Sequence, residues 1–299
     1  MGHPACSKLC ARQSNRPCNM AVTIQQALQD AVAKLTAHDV GSPRMNAELL
    51  LMFVLGGDRA FLFGHSDREL TSEEESRYEE VIAERATGVP AQYITGHQEF
   101  WGLDFLVTPA VLIPRPETEH VVETALELVR TIERPRIVDV GTGSGCIALA
   151  LANELPRAEI SALDVSEEAL EVAKANAARL QLDRRVRFQQ NDLLAGFPAD
   201  HFDLVVSNPP YVGERESDKV QAEVRKFEPK VAVFAGAEGM DVIRRLLPQA
   251  HDVLKPEGWL LAEIGFSQSA MVARLAGHWS ELKFVNDLQG IPRVLTAKK

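Results

Sequence analysis

An α/β fold, in which a small helical bundle and a β-hairpin precede a doubly wound, mostly parallel sheet, is predicted by three features of this chain. From residue 136 onward, apolar runs of strand length alternate with helical periodicity. The first run, Arg136-Ile-Val-Asp-Val140, opens into Gly141-Thr142-Gly143-Ser144-Gly145 and an apolar helix, the βα unit with which such sheets begin. Residues 23–88, in contrast, carry helical spacing punctuated by capping signals.

Composition agrees with a globular protein. At 299 residues and 45% hydrophobic content the chain can bury a sizeable core, and its length accommodates two domains. A net charge of -10 argues against a broad nucleic-acid surface, because phosphate binding relies on clustered Lys and Arg. No apolar stretch reaches the roughly 18 residues of a membrane-spanning helix. Cys6, Cys10 and Cys18 have no C-x-x-C pair or neighbouring His pair to suggest zinc, and Cys146 reads as a small packing residue. Residues 1–19 hold basic residues, no acids and no apolar run long enough for a signal peptide. They read as a disordered leader, with Met20 as an alternative start and an organellar transit peptide as the other reading.

The elements follow in order. Thr23-Ile-Gln-Gln26 fits a capping box, and Ile24, Leu28, Val32 and Leu35 recur on one helical face. Ser42-Pro43 predicts a second helix with Ser42 as its N-cap, closed by Gly56-Gly57. Thr71-Ser-Glu-Glu74 opens a third, which Gly88 ends, and residues 20–92 form a helical domain. Residues 93–114 are a linker in which 98–107 predict a hairpin turning near Gly102-Leu103. Pro109, Pro114 and Pro116 stiffen the entry to a helix over 119–130. Arg115-Pro-Glu-Thr-Glu119 either caps that helix with acids or forms a lid that brings Glu117 or Glu119 to a site. Residues 115–299 form the sheet domain, with strands over 136–140, 159–164, 186–189 and 202–206 and a helix over 169–180. Residues 239–254 are a helix that Pro248 should kink or break. A strand over 259–264, a helix over 267–278 and an antiparallel pair around 283–285 and 293–295 complete the sheet. His251 and His278 lie away from any strand end and read as packing or surface residues.

Chemistry collects at the strand ends. Glycines at 141, 143 and 145 let backbone approach a ligand closely. The dinucleotide fingerprint is not met, because its sixth position is Cys146 and the third glycine comes one residue early. That spacing suits a compact adenosyl group better than a pyrophosphate. Asp164 ends the second strand 23 residues after Gly141, close to the roughly 20-residue interval at which an acid meets ribose hydroxyls. Its competing role is an N-cap, a duty that Ser166 can share or take. Asn191-Asp192 follows the third strand, where Asp192 accepts from an adenine amino group or sits in a surface turn. The fourth strand delivers Asn208-Pro209-Pro210-Tyr211. An Asn stiffened by two prolines offers a rigid side-chain carbonyl, suited to accepting from a planar NH2 group and directing its weakly nucleophilic nitrogen. Ligands of an open parallel sheet sit outside the carboxyl ends of its strands, so these residues converge on one crevice.

On these residues the chain resembles the protein-glutamine methyltransferases that modify the glutamine of the Gly-Gly-Gln motif in class 1 peptide chain release factors. The likeness rests on Asn208-Pro-Pro-Tyr211, Asp139-Val-Gly-Thr-Gly-Ser-Gly145, Tyr93-Ile-Thr-Gly96, Leu112-Ile-Pro-Arg-Pro-Glu-Thr-Glu119 and Pro292-Arg-Val-Leu295, and covers about residues 21–299. The first two motifs are shared with many amino methyltransferases, including those acting on DNA adenine; the next two are much narrower. The resemblance implies a Rossmann-like class I S-adenosylmethionine-dependent methyltransferase sheet. It implies cofactor contacts at Gly141, Thr142, Gly143, Ser144, Gly145, Asp164, Asp192, Leu193 and Asn208, and a glutamine slot formed by Asn208, Pro209, Pro210 and Tyr211. Leu193 stands where some members carry a tryptophan, which puts aromatic packing against the adenine in question.

The implied reaction is in-line methyl transfer to the side-chain amide nitrogen, with Asn208 and the Pro209 carbonyl accepting the amide hydrogens and no strong general base or metal. The partner would be a release factor gripped by the helical domain, without direct nucleic-acid or membrane contact, in the cytoplasm. Two alternatives stay open. A DNA adenine amino-methyltransferase would use the same tetrapeptide but would ordinarily need a basic DNA face. A non-catalytic adenosyl-binding module would keep the glycine loop without needing Asn208.

Overall fold

The computed structural model of the protein describes residues 21–287 and 289–299, so the expected leader and Cys6, Cys10 and Cys18 lie outside the described residues. The chain divides into two compact units between Thr87 and Gly88.

The first unit holds α1 (Ile24–Ala37), α2 (Pro43–Leu55), α3 (Arg59–Gly64) and α4 (Ser72–Ala86). Thr23 caps α1 by accepting from Gln26 N, but the return arm of the box is missing because Gln26 Nε2 donates to Asp30 instead. Thr71 and Glu74 make the full reciprocal box on α4. Ser42 does not cap α2 as expected: its backbone is left-handed and its side chain makes no cap bond, leaving Pro43 to mark the start. Gly56 closes that helix at φ 63°. The short α3 is started by Asp58, which accepts from Phe61 N, and is too brief to show periodicity in the sequence. Ile24, Leu35, Leu50, Leu51 and Ile82 are buried between the longer helices, and buried Tyr78 donates to Ala47 O at 2.9 Å. Each such apolar side chain contributes about 1.5–3 kcal/mol on burial.

The second unit opens with α5 (Ala91–Thr95) and the hairpin of β1 (His97–Phe100) and β2 (Leu103–Leu106). Trp101 and Gly102 turn it with φ of 54° and 69°, the doubly positive geometry that matches strand twist. Buried Phe100 and Phe105 meet edge to face behind it. A 3-10 turn at Pro116–Thr118 leads into α6 (Glu119–Val129). The sheet domain proper then runs β3 (Arg136–Val140), α7 (Cys146–Glu154), β4 (Glu159–Asp164), α8 (Glu167–Arg179), β5 (Val186–Gln190) and β6 (Phe202–Ser207). After these come α9 (Ala222–Phe227), α10 (Lys230–Val233), α11 (Asp241–Val253), β7 (Leu254–Glu263), α12 (Ser269–Leu275), β8 (Glu281–Asn286) and β9 (Pro292–Lys298).

The strands pair in the order β5-β4-β3-β6-β7-β9-β8, parallel except where β9 runs antiparallel to β7 and β8. Both faces are covered, which is why the central strands read as apolar runs. Along β3, Ile137 joins a core with Val121 and Ala125 of α6 and Leu149 of α7. Its neighbours Val138 and Val140 join the opposite core with Ile243, Leu246 and Leu247 of α11. That buried face holds α11 together across the hydrogen bond Pro248 cannot make, so of the expected kink or break the helix shows no break and runs from Asp241 to Val253. The chain builds outward from β3 to β5 and then returns to place β6 on the other flank of β3. This reversal opens a crevice at the carboxyl ends of β3 and β6.

Candidate active site

The glycine turn after β3 presents bare backbone. Gly141 and Gly143 have φ of 74° and 56°, and at either position a Cβ would point into open space. Gly141 N and Thr142 N both donate to Leu163 O at the end of β4, fixing the turn. Gly145 differs: a Cβ there would lie 3.1 Å from Leu149 and 3.2 Å from Ala173, so its missing side chain serves the approach of α7 to α8.

Asp164 Oδ2 accepts from Gly143 N and its Oδ1 from Ser166 N, each at 2.9 Å. Ser166 takes the N-cap of α8 by accepting from Ala169 N, so Asp164 is released from that duty. A carboxylate has about four acceptor sites, and each oxygen of Asp164 keeps one for a ligand. Beneath the turn, Asp139 Oδ2 accepts from Thr142 Oγ1 at 2.6 Å and from Ala148 N at 3.2 Å. It thereby caps α7, whose N-cap position is a glycine with no side chain to do so. Burial pushes Asp139 up to about 7, opposed in part by those two hydrogen bonds. The Thr142 hydroxyl is committed to Asp139 and its N–H to Leu163 O, and its carbonyl accepts from Gly145 N, so only a spare lone pair on that carbonyl remains for any cofactor. Asn176 Nδ2 donates to Ser144 O and Leu106 O, while its Oδ1 accepts from Leu106 N, tying the turn to the hairpin.

A cavity of about 420 Å³ lies here, lined among others by Gly141, Gly143, Asp164, Asp192, Leu193 and Asn208. Thr142, Ser144, Pro209 and Pro210 also line it, whereas Gly145 and Tyr211 do not. Asp192 Oδ2 already accepts from Arg245 at 2.6 Å. Leu193 sits at φ 52°, rare for a leucine, in a turn that Asn191 Nδ2 holds through Leu193 O and Ala195 O. The volume falls within the about 300–1,000 Å³ of small-molecule sites. Open backbone over two glycines and a carboxylate with spare acceptors at the ribose-reading position fit a nucleoside-bearing cofactor.

A second cavity of about 410 Å³ shares Asn208 with the first and is lined by Arg115, Glu117, Tyr211, Glu263 and Arg293. Asn208 Nδ2 donates to Thr118 Oγ1 at 3.0 Å, and Thr118 Oγ1 donates to Glu263 Oε2 at 2.7 Å. Tyr211 OH donates to Glu263 Oε1 at 3.1 Å. Thr118 and Glu263 are buried, and burial pushes Glu263 above the usual carboxylate range and the Tyr211 phenol upward. The tetrapeptide's backbone is held from behind by Gln268 Nε2, which donates to Tyr211 O and Gly239 O. Gly239 lies so close that a Cβ would be 2.2 Å from Tyr211 O. Buried Glu228 fastens the proline-rich strap by accepting from Ile113 N and from the Arg115 guanidinium. Of the two acids considered for a lid, Glu117 lines the second cavity, while Glu119 accepts from Trp101 N of the hairpin turn.

His251 and His278 pack against each other and Trp279 and line neither cavity, as expected. Among the described residues no group of three or more His, Cys, Asp or Glu side chains is placed to hold a metal. No helix among them is long and apolar enough to cross a membrane. Thr118, Glu263, Gln268, Gly239 and Asn176 escaped the sequence reading. The available signal was a charged residue, Glu263, within an apolar strand, since glutamate is almost never fully buried without a partner.

Residues 26–96 match the PrmC N-terminal domain, and residues 121–226 match the Methyltransferase small domain. The chain is 56% identical over 279 residues to the Release factor glutamine methyltransferase of Koribacter versatilis (strain Ellin345), covering 93% of this chain and 99% of that one. It is 44% identical over 279 residues to the protein of the same name from Moorella thermoacetica, covering 92% and 98%. Among solved structures, the hMettl16 catalytic domain in complex with MAT2A 3'UTR hairpin 6 matches with a TM-score of 0.54 at 18% identity, over 70% of this chain and 79% of that chain. That likeness is one of fold alone. With the parallel sheet, the convergent cavity and near full-length relatives in agreement, this chain is an S-adenosylmethionine-dependent methyltransferase and belongs to the release factor glutamine methyltransferase family.

Proposed function

We propose that this enzyme methylates the side-chain amide nitrogen of a glutamine in class 1 peptide chain release factors, the glutamine of their Gly-Gly-Gln motif. The observation that carries this reading is Asn208, which lines both cavities, binds Thr118 through its NH2 group and receives no hydrogen bond at its carbonyl oxygen from any described residue. S-adenosylmethionine, when bound, would supply an electrophilic methyl group on a sulfonium, whose C–S bond breaks to leave a neutral thioether. Gly141, Gly143 and Asp164 are the residues to hold it, with Asp192 and Leu193 toward the adenine.

On the acceptor side, Asn208 Oδ1 takes one N–H of the glutamine amide and the Pro209 carbonyl takes the other, while Tyr211 packs on the amide plane. Fixing both hydrogens orients the nitrogen toward the first cavity and offsets the weakness of a delocalised lone pair. Once that nitrogen has a fourth substituent its proton is strongly acidic, so it leaves without a strong base. The names of the relatives support the release-factor substrate, and with it action in the cytoplasm. We attribute the choice of protein to residues 21–87, because a narrow slot around one amide cannot by itself select a macromolecule.

Incubation with labelled S-adenosylmethionine and either purified release factor or duplex DNA tests the substrate. Label on the release factor alone is expected; label on DNA, or on neither, overturns the reading. A chain beginning at Gly88 should keep cofactor binding and lose at least about tenfold in activity on intact release factor, since the lost contacts lie away from the chemistry. Equal activity would remove the gripping role from the first unit.

A further inference from the structure

We propose that Thr118 and Glu263 are positioning residues that fix the Asn208 side chain with its carbonyl oxygen toward the acceptor amide. The inference rests on the role given to Asn208 above and explains what sets its orientation. A primary amide is nearly symmetric in shape, so packing alone does not decide which end faces a ligand. Presented one way round, Asn208 offers an acceptor to the substrate N–H. Turned over, it offers a donor to a donor, and the amide is repelled.

The structure contains a chain of groups that removes the ambiguity. Thr118 Oγ1 carries one proton and stands 2.7 Å from Glu263 Oε2 and 3.0 Å from the Asn208 amide. The relay works with Glu263 ionised, the form that its two hydroxyl donors, Thr118 and Tyr211, and the Arg293 charge favour against burial; it then has no proton to give, takes the hydroxyl proton and leaves Thr118 with only lone pairs for Asn208. The group that meets those lone pairs must be NH2. The carbonyl oxygen, on the opposite arm of a planar group, then faces away from Thr118. Tyr211 OH spends its own proton on Glu263 Oε1, so both carboxylate oxygens are engaged and neither can swing toward Asn208.

The anchoring is rigid. Glu263 is 3% exposed and Thr118 2% exposed, and Glu263 sits in β7, the strand flanked by β6 and β9. Thr118 ends the 3-10 turn that enters α6, whose Val121, Val122 and Ala125 are buried in the core. Neither partner can follow Asn208 if it turns. The same relay ties Asn208 and Tyr211 to one carboxylate, so the two side chains at the acceptor cavity are set by a single residue.

Thr118→Val keeps shape and removes the hydroxyl, and Thr118→Ser keeps the hydroxyl. Both would be assayed on the full chain with release factor, alongside Asn208→Ala, with cofactor dissociation constants from calorimetry and folding from thermal melts. The relay requires that Thr118→Val lower kcat about tenfold or more, as expected for a misdirected charge-supported hydrogen bond, with cofactor affinity within about twofold of wild type. Thr118→Ser should recover most of the rate, which a loss of packing would not allow. Should Thr118→Val fail to fold, Thr118→Ala is read in its place against Thr118→Ser. A wild-type kcat in the hydroxyl-free variant, with Asn208→Ala crippled, overturns the relay and leaves the Asn208 role standing. A wild-type rate in Asn208→Ala overturns the role itself.

Discussion

The cavity beside the glycine turn opens onto bare backbone at Gly141 and Gly143, whereas the cavity beside Tyr211 is bordered by side chains tied into one hydrogen-bond network from distant parts of the chain. In the first, Gly141 and Gly143 contribute the absence of a side chain, and Asp164 is fixed by two backbone N–H groups. In the second, Asn208 reaches Thr118 across 90 residues of sequence, and Thr118 reaches Glu263 across 145. The difference teaches that, if these roles hold, binding and chemistry should be separable by substitution. On the roles proposed above, a local turn and one acid would hold the cofactor, while a network whose members lie on different layers of the fold would orient the acceptor amide. Asn208 is the single residue of the tetrapeptide's working end that belongs to both cavities without being part of the glycine turn.

The contrast breaks if substitutions on the two sides act alike. The largest effect is expected at Asn208: Asn208→Ala should lower turnover about 10²-fold or more, by analogy with loss of an oxyanion-hole donor, while cofactor affinity falls much less. A quench assay at saturating cofactor and release factor measures it. Asp164→Ala should give the reverse pattern, weakening S-adenosylmethionine binding by roughly 1.5–3 kcal/mol, the range for hydrogen bonds to a charged group. An unchanged dissociation constant in the folded variant would show that the acid serves only the turn.

A smaller effect sharpens the comparison from beneath the glycine turn. Asp139 is held up at about 7 in the folded protein against an ordinary value of 3.8, chiefly by burial. Between about pH 4 and pH 7 the folded state keeps a proton that the unfolded chain has released. The stability this group contributes is therefore complete below about pH 4, declines as pH rises and is gone above about pH 7. Asp139→Asn keeps an acceptor for Thr142 Oγ1 and Ala148 N but cannot titrate. Its unfolding free energy should fall less than that of the wild type between pH 5 and pH 8, by on the order of 2 kcal/mol, read from thermal melts at the two pH values. Parallel melting profiles for the two proteins would remove the buried acid from the account.

How much was readable in the sequence follows the same division. Interactions that span a few residues leave a pattern in the chain: the Thr71–Glu74 capping box and the glycines after β3 were placed by spacing alone, and the hairpin turn, expected near Gly102-Leu103, falls one residue earlier at Trp101-Gly102. Local signals also misled where tertiary context intervened. Ser42 had the right chemistry for an N-cap but the wrong backbone geometry, and Pro248 lost its power to break a helix whose apolar face is buried on the sheet. Gly145 belonged to the right motif yet serves helix packing rather than the cavity. Asp164 illustrates the middle case, in which two roles were visible and the structure gave the capping role to Ser166.

By itself the sequence determined the parallel sheet, the order in which its strands deliver glycines, Asp164, Asp192 and Asn208, and the family to which these motifs point. These are consequences of periodicity and turn chemistry, which act between near neighbours in the chain. Only the tertiary structure decided that Thr118, Glu263 and Tyr211 share one buried network with Asn208, and that Gly239 and Gln268 hold the tetrapeptide from behind. Hydrogen bonds between residues far apart in sequence depend on how layers pack, and no spacing rule records where a buried hydroxyl will find the carboxylate that takes its proton.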